Sequence, residues 1–334
     1  MNMYDIARET GFSIATISRA INNSGYVSAK TREKIMKVIE EKGYSVNAFA
    51  KGMATSSMSL AGILCSDSRD TYQAECIYHL QNDLKDNGFT ALLACTGDQL
   101  KDKQEAVSLL LSRNVDVIFL IGSHFVEDTP RGNFYLREAS RKVPIIMLNG
   151  LLEADNVYSI RCDDASGMME LTNLVMENGA KKPLLISRRD TFSTREKLRG
   201  FKEAMYKYDQ KLADEPRIVE IDADRLYPSL EEQLKQAGEF DALLCMDDEL
   251  AANALKYCQS HHIKVPADCQ ITGYNNNRLS DLPATSITSY DNRIPYLCTT
   301  SVFCMNQVLN KKDYPSQTVY SGLLKEKKTT RNAA

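Results

Sequence analysis

The sequence contains no long apolar run, no secretory leader and no familiar catalytic motif. No run approaches the roughly eighteen apolar residues that a membrane-spanning helix needs, and Met1 leads directly into polar helical sequence. We therefore expect a cytoplasmic protein with no membrane partner. The chain also lacks a G-x-S-x-G elbow, a P-loop and a glycine-rich dinucleotide loop, so the sequence favours a protein that is not an enzyme.

Cysteine and histidine do not occur at the spacings that bind a metal. None of the nine cysteines forms a C-x-x-C pair, and the four histidines show no HExxH or mixed Cys/His spacing. We expect neither a metal site nor another cofactor. Cys65, Cys95 and Cys245 lie in apolar runs of strand length. Because disulfides are rare in the cytosol, the sequence predicts buried, reduced thiols at these positions.

The length and the charge distribution indicate more than one domain. With 334 residues, 43% of them hydrophobic, the chain can bury one or two sizeable cores. Residues 1–60 contain eight Lys/Arg against five Asp/Glu, whereas the rest of the chain has a net charge of −6. A basic end on an acidic body is typical of a protein that contacts phosphate groups through one end.

The segment from Met3 to Asn22 has the pattern of two short helices joined by a tight turn. Gly11 permits the turn because glycine adopts backbone conformations that other residues avoid, and Ser13 can cap the second helix. Helical spacing places one set of side chains inward: Ile6, Ala7, Ile17, Ala20 and Ile21. It leaves another set outward: Ile14, Ala15, Ser18 and Arg19. This is the helix-turn-helix arrangement, whose second helix enters the major groove of DNA.

A third helix is predicted after a polar loop. Ser28 can cap it, and Ile35, Val38 and Ile39 are spaced to close a small core over the first two helices. With these residues the chain resembles the lactose-repressor (LacI/GalR) family of bacterial transcription factors. The segments that carry the resemblance are SxATxSRxxN, the VSAKTREK run, EKGY and NAxAK.

The resemblance implies a DNA-binding headpiece over residues 1–45 and a hinge over residues 46–58. In the family the hinge becomes helical on operator DNA, where a leucine wedges open a base step in the minor groove. Here Val46 replaces the usual proline, Gly52 sits inside the helix and Met53 replaces the leucine, so we hypothesise a hinge that folds less readily. By resemblance, the residues at DNA-contacting positions are Tyr4, Ser13, Ile14, Ala15, Thr16, Ser18, Arg19, Asn22, Ser28, Asn47, Ala50 and Met53.

From Leu60 onward, apolar runs of strand length alternate with helical stretches. The runs are LAGILC, TALLAC, VDVIFLIG, VPIIML, VYSI, KPLLIS, ALLCM and CQITGY. Continuous apolar strands separated by helices predict parallel sheets covered on both faces, and the repeat beyond Ser159 suggests two similar lobes. The expected fold is an N-terminal all-α helix-turn-helix headpiece followed by an α/β core of two parallel-sheet lobes.

The resemblance implies that this core, residues 59–334, is periplasmic-binding-protein-like and mediates effector binding and dimerisation. Lobe 1 would comprise about 59–160 and 291–320, and lobe 2 about 161–290 and 321–330. Three crossovers would join the lobes near Ile160, Tyr290 and Tyr320, with the ligand bound in the cleft between them.

Ligands bind beyond the carboxyl ends of parallel strands, so the residues that follow each run are the candidates. By resemblance, the effector-binding positions are Tyr72, Asn149, Ser193, Lys197, Asp247 and Asn275. Asparagine replaces a common aspartate at two of them, Asp247 replaces asparagine, and Lys197 replaces an arginine that grips the effector. These changes make the site about one charge less acidic than a typical neutral-sugar site.

Two arginines after the run KPLLIS, Arg188 and Arg189, would make the site more positive still if they line it. We therefore infer an effector with a phosphate or carboxylate group, or an unusual sugar. The alternative is that both arginines are solvated loop charges without a ligand role.

Together these features predict a transcriptional regulator, in the first place a repressor of a carbohydrate-uptake or catabolic operon. A sugar, sugar phosphate or sugar acid would gate it allosterically, and a homodimer would bind a pseudo-palindromic double-stranded operator. The tail KEKKTTRNAA lacks a leucine heptad, which argues against a tetramer. Regulation by a partner protein instead of a small molecule remains an alternative. An enzyme on this fold is less favoured, because the side chains of the adjacent Asp247 and Asp248 should diverge.

Overall fold

The computed structural model describes residues 3–22, 25–42, 57–188 and 190–331. The chain divides into two compact units, Met1–Met58 and Ser59–Ala334. The predicted hinge lies outside the described residues except at 57 and 58, and so do three of its predicted DNA contacts, Asn47, Ala50 and Met53.

The first unit contains a small core built by three helices. Ile6, Ile17 and Ile35 are fully buried and meet at its centre, as their spacing predicts. Gly11 separates the first two helices with a φ of +75°, a conformation that favours glycine. The helices are α1 (Met3–Thr10), α2 (Ile14–Asn22) and α3 (Ala29–Glu41).

Both predicted serine caps are present. The hydroxyl of Ser13 accepts a hydrogen bond of 3.2 Å from the backbone N–H of Thr16, at the start of α2. The hydroxyl of Ser28 accepts one of 3.2 Å from Thr31 at the start of α3. Each cap satisfies a backbone donor that the first helical turn leaves without an intrahelical partner.

The second unit contains two six-stranded sheets, one in each lobe. In sheet order, lobe 1 has β11 (Gln317–Tyr320), β5 (Val157–Cys162), β4 (Ile145–Leu148), β3 (Val117–Ile121), β1 (Leu60–Cys65) and β2 (Thr90–Cys95). Lobe 2 has β12 (Leu323–Lys325), β10 (Thr288–Asp291), β9 (Gln270–Tyr274), β8 (Ala242–Cys245), β6 (Pro183–Ser187) and β7 (Ile218–Glu220). The pairings are parallel, except that β12 runs antiparallel to β10.

Helices cover the faces of both sheets. Their apolar sides pack on the strands and form four buried clusters, two for each sheet. The core helices are α4 (Thr71–Asp86), α5 (Leu100–Ser112), α6 (Phe134–Ser140), α7 (Asp164–Glu177), α8 (Phe192–Met205), α9 (Gln210–Asp214), α10 (Leu226–Gln236), α11 (Asp248–Ser260) and α12 (Ile294–Leu309). Within the described ranges, no helix has both the length and the apolar character needed to span a bilayer.

The chain passes between the lobes three times. It leaves lobe 1 after β5, returns after β10 and crosses again between β11 and β12. Around these crossings the Tyr320 hydroxyl donates to the backbone carbonyl of Asn292 at 2.7 Å, and the Asp163 N–H donates to the Tyr320 carbonyl at 2.9 Å. These bonds hold the connecting segments against one another.

Four strands of the structure were not indicated by an apolar run in the sequence. The short strands β10 (TSYD) and β11 (QTVY) are rich in hydroxyl side chains, and β7 and β12 contain three residues each. In β10, the hydroxyl of the buried Thr288 is 2.7 Å from that of Thr330. Such strands are stabilised by contacts with distant segments, so a local pattern does not reveal them.

The prediction of a buried thiol is wrong for Cys95. Strand β2 lies at the edge of the lobe 1 sheet, and Cys95 at its end is exposed, whereas Cys65 and Cys245 are buried. An apolar run indicates a strand, but it does not show whether that strand lies at the centre or at the edge of a sheet.

Helices α7 and α8 pack so closely that their main chains are in contact. A methyl group on Gly200 would overlap the carbonyl oxygen of Ala165. Ala165 is 3% exposed, and main-chain atoms cannot rotate aside as a flexible side chain can. The absence of a Cβ at position 200 is therefore required for this packing.

We expect the Gly200→Ala variant to be destabilised by about 1–3 kcal/mol, the usual cost of overpacking. In an ordinary helix interior the same change would stabilise by up to about 1 kcal/mol. Calorimetric melting of the full chain should show a lower transition temperature for the core. Glu203→Ala, at an exposed position of the same helix, is the control and should change stability by less than about 0.5 kcal/mol. An equal or raised melting temperature in Gly200→Ala would contradict the packing argument.

Candidate functional site

The outward face of α2 carries side chains predicted to contact DNA, either at base edges or at phosphates. Ile14 is 37% exposed, Ala15 and Arg19 are exposed, and Thr16 and Ser18 are partly exposed. Tyr4 on α1 is 69% exposed. Asn22 is the last residue of α2, and its side chain lies outside the description. An exposed recognition face on a capped helix, backed by a buried core, is the geometry that docks into a major groove.

A cavity of about 350 Å³ lies between the two lobes of the core. It forms where the carboxyl ends of β1, β3 and β4 in lobe 1 face those of β6, β7, β8 and β9 in lobe 2. All six residues predicted to bind an effector line it: Tyr72, Asn149, Ser193, Lys197, Asp247 and Asn275. Its volume lies in the usual range for a small-molecule site.

Arg188 also lines this cavity, and its guanidinium contacts three carboxylates. Nε donates to Asp247 Oδ2 at 2.9 Å, and Nη1 donates to Glu249 Oε2 at 2.8 Å. Nη2 is 3.5 Å from Asp70 Oδ2, which belongs to lobe 1. Arg188 follows β6 of lobe 2, so its side chain joins carboxylates of both lobes.

Burial and ion pairing have opposite effects on the pKa values of the groups in this cluster. Burial alone would lower the pKa of Arg188, but attraction from Asp247, Asp70 and Glu249 raises it above its ordinary value. Burial raises the pKa of Asp70, although the Gln73 N–H and Arg188 oppose that rise. A partly buried arginine paired with three carboxylates stays charged, and removing one partner would leave charge that is less well compensated.

The cavity carries more negative than positive side chains, whereas the substitutions at the family's positions favoured a less acidic site. Its charged lining residues are Asp67, Arg69, Asp70, Arg188, Lys197, Asp224, Asp247 and Glu249. Five of these are acidic and three are basic. Arg188 lines the cavity, but its charge is matched by its carboxylate neighbours, and Arg189 lies outside the described residues. A phosphate or carboxylate would meet a net excess of like charge here.

Lys197, which by resemblance replaces an effector-gripping arginine, is bound by the protein itself. Its Nζ donates to the carbonyl oxygen of Met246 at 2.9 Å and lies 3.9 Å from the ring centroid of Tyr274. The residue is 6% exposed. A lysine held in this way supplies positive charge at a fixed point but cannot form the two-pronged contact of an arginine.

Asn149 and Ser193 have contacts that limit what each can offer a ligand. Asn149 Oδ1 accepts from the Cys162 N–H at 3.0 Å, which leaves its Nδ2 group as the part that can donate to a ligand. The Ser193 hydroxyl donates to Asp164 Oδ2 at 2.5 Å, so it can offer a ligand only its oxygen lone pairs.

Tyr72 of lobe 1 and Asn275 of lobe 2 line opposite walls of the cavity. The Tyr72 hydroxyl is buried in the lobe 1 core, so the ring is the part that meets the cavity. Asn275 Oδ1 accepts from Asn292 Nδ2 at 2.9 Å. An aromatic ring opposite amide groups suits a ligand with an apolar face and polar edges.

Asp247 and Asp248 diverge, as their adjacency predicts. Asp247 caps α11 by accepting from the Leu250 N–H at 2.8 Å, and its other oxygen accepts from Arg188 Nε at 2.9 Å. Asp248 is fully buried and accepts from the Ser289 hydroxyl at 2.6 Å and from the Asn277 N–H at 2.7 Å. They do not form the facing pair of carboxylates that glycoside cleavage requires.

Asn277 connects this buried carboxyl to the other lobe. Its Nδ2 donates to the hydroxyl of Thr71, the first residue of α4, at 3.0 Å. A second link runs from the Ser193 N–H to the Ser123 hydroxyl at 3.4 Å. These two polar contacts join the walls of the cavity in addition to the Arg188 cluster.

Sequence reasoning missed several residues of the cavity, above all Asp70 and Glu249. Both stand within a few residues of a strand end, where the rule for parallel sheets would have placed them among the candidates. The missing information was the direction of each side chain. In the part of the chain that the structure describes, no group of three or more His, Cys, Asp or Glu residues is placed to hold a metal ion.

The chain is similar to known transcriptional regulators along its whole length. The model of the lacI family of bacterial regulatory proteins matches residues 2–47, and the model of the periplasmic binding protein-like domain matches residues 173–330. An HTH-type transcriptional regulator of Lachnoclostridium phytofermentans is 36% identical over 99% of each chain. Catabolite control protein A of Staphylococcus epidermidis is 28% identical over 86% of each chain. These relatives are regulators, not enzymes.

Solved structures share the fold. The lac repressor dimer bound to operator and the anti-inducer ONPF superposes with a TM-score of 0.87 at 20% identity, over 99% of each chain. The complex of the transcriptional regulator CelR with cellobiose superposes with a TM-score of 0.70 at 22% identity, over 98% of this chain and 99% of that chain. The fold class predicted from the sequence is confirmed.

Asp248 should make the stability of the core depend on pH. Burial raises its pKa from 3.8 to about 7, so the folded state keeps a proton that the unfolded state has lost. Its contribution to stability is fully present below pH 3.8 and is lost as the pH rises through 7, at up to about 1.4 kcal/mol per pH unit. Asp248→Asn cannot ionise, so wild type should lose stability relative to this variant up to about pH 7. Urea unfolding of both proteins from pH 5 to 8 measures the difference, and parallel curves throughout would contradict the assignment.

Proposed function

Because the chain belongs to the LacI family of bacterial regulatory proteins, we propose that it is a cytoplasmic transcriptional repressor gated by a neutral sugar. It binds a pseudo-palindromic operator as a homodimer, with one headpiece on each half-site. The cleft of the core takes the sugar, which changes operator affinity. The regulated genes encode carbohydrate uptake or breakdown.

The exposed face of α2 supports the DNA contacts. Arg19 carries a guanidinium that can donate two hydrogen bonds to the O6 and N7 atoms of a guanine, the commonest base-specific pairing. Ile14 and Ala15 are apolar and exposed, which suits contact with a thymine methyl group. The net positive charge of residues 1–60 adds attraction to phosphates.

The composition of the cleft supports a neutral, hydroxyl-rich ligand. Carboxylates such as Asp247 and Glu249 accept hydrogen bonds from hydroxyl groups, and the amide of Asn149 can donate one. The excess of carboxylates disfavours a phosphate or an acid sugar. A fold neighbour has been solved with cellobiose, which is a neutral sugar.

Contacts between the lobes suggest how the sugar could be coupled to DNA. A ligand that binds between Asp70 of lobe 1 and Asp247 of lobe 2 competes with, or completes, the Arg188 cluster that joins them. It thereby shifts the balance between lobe arrangements, to the extent that it binds one arrangement more tightly. Coupling is reciprocal, so operator DNA must change sugar affinity by the same factor.

Arg19→Ala should weaken operator binding by about 1–3 kcal/mol and relax the preference at one base position of each half-site. The measurement is a selection from random double-stranded DNA, carried out with full-length wild type and variant at one salt concentration. Lys37→Ala is the control, because it removes the same charge from an exposed position on α3 and should leave the selected consensus unchanged. The assignment of Arg19 to base contact is wrong if wild type and Arg19→Ala select the same consensus sequence.

A thermal-shift screen of the full-length protein tests the ligand class. Neutral mono- and disaccharides should include a compound that stabilises the core, by about 2.7 kcal/mol at 100 times its dissociation constant. Asp247→Asn keeps a residue that can cap α11 but loses the carboxylate, so the shift should shrink strongly. Asp86→Asn, at an exposed position of α4 outside the cleft, should keep it.

Two results would contradict the sugar assignment. A hit that requires a phosphate or carboxylate group would show that the acidic lining does not select the ligand. No shift with any compound would favour control by a partner protein, the alternative that the sequence left open.

A further inference from the structure

Two cysteines lie side by side at the carboxyl edge of the lobe 1 sheet. Cys65 is the last residue of β1 and Cys95 the last residue of β2, and they are partners in the register of this parallel pair. Their Sγ atoms are 3.3 Å apart. None of the other cysteines, all of which lie within the described residues, is exposed as Cys95 is.

The backbone geometry of this pair suits a covalent link. Neighbouring strands of a sheet lie about 4.8 Å apart, and disulfides join residues whose Cα atoms are roughly 4.4–6.8 Å apart. Partner residues in register project to the same face, so both sulfurs already point toward each other. Closing the remaining gap between the sulfurs requires rotation of the side chains and not a shift of the strands.

The two thiols differ in access. Cys65 is fully buried, and burial together with Cys95 raises the pKa of its thiol to about 12. It therefore stays protonated and inaccessible at neutral pH. Cys95 stands at the exposed edge of β2, where it can meet a reagent from solvent, with Cys65 directly behind it.

We propose that Cys65 and Cys95 form a reversible disulfide when the protein meets a low-molecular-weight disulfide, with Cys95 reacting first and Cys65 completing the link. The Cys95 thiolate attacks one sulfur of the small disulfide, its S–S bond breaks, and one small thiolate leaves. As the Cys65 thiol gives up its proton, its Sγ attacks Cys95 Sγ, the mixed disulfide breaks, and the second small thiolate leaves and takes up that proton. The two protein thiols are oxidised, and the small disulfide is reduced to two thiols.

The cysteine pair lies next to the residues that form one wall of the cleft. Ser66, the next residue, donates from its N–H to Gln73 Oε1 at 2.8 Å, and both Asp67 and Gln73 line the cavity. A link at Cys65 would thus join an edge strand to the segment that forms one wall of the ligand site.

The test treats the reduced full-length protein with glutathione disulfide, then alkylates free thiols and maps peptides without reduction. We expect the loss of two hydrogens in mass, a linked peptide pair containing residues 65 and 95, and full reversal by dithiothreitol. Modification at Cys95 should be at least about tenfold faster than at any other cysteine, since buried thiols are inert. Cys304→Ala, which removes a buried cysteine elsewhere in lobe 1, should react as wild type does.

Two variants separate the roles of the thiols. Cys65→Ala should accumulate one glutathione adduct at Cys95, whereas Cys95→Ser should show neither adduct nor link at Cys65. If Cys65→Ala fails to fold, Cys95→Ser still tests the proposal, because a substitution at this exposed site should not disturb the fold. The proposal is overturned if wild type stops at a stable Cys95 adduct, if a reducible dimer forms in place of the internal link, if another pair links, or if nothing reacts.

Discussion

Parallel strands in two separate sheets end at a single cleft, and the chemistry of the core depends on this constraint. At those ends the chain leaves the apolar interior and can carry charged and amide side chains without burying them among hydrocarbon. The cleft is therefore assembled largely from residues that follow seven different strands. Because the chain crosses between the lobes three times, these segments come from distant parts of the sequence and yet lie within hydrogen-bond distance.

The Arg188 cluster shows what such an arrangement does to charge. A guanidinium and three carboxylates would repel or attract ligands strongly if each stood alone, but here they satisfy one another across the gap between the lobes. A ligand must then match the hydrogen-bonding capacity that remains, and that capacity lies mainly in acceptor oxygens. This explains why simple counting of substituted charges at the family's positions pointed toward an anion, whereas the assembled site points toward hydroxyl groups.

Local patterns predicted the headpiece well. The caps Ser13 and Ser28 and the buried Ile6, Ile17 and Ile35 follow from spacing alone, since a short helix has few ways to bury its apolar face. In the core, the apolar strands were also predictable, and the family resemblance named the six candidate residues that line the cleft. The partners of each side chain were not predictable from the sequence, because the contact of Arg188 with Asp70 depends on how the two lobes close. The exposure of Cys95 depends in the same way on sheet order.

The contact between Gly200 and Ala165 has a consequence for engineering new specificity. Helix α8 carries Ser193 and Lys197 at the cleft, and main-chain contact at Gly200, further along the same face, fixes it against α7. Cleft residues on α8 can therefore be exchanged while the helix axis stays where it is, so each substitution changes the chemistry of one point in the wall. A library confined to such positions, with residue 200 kept as glycine, would sample ligand preference without sampling new backbones.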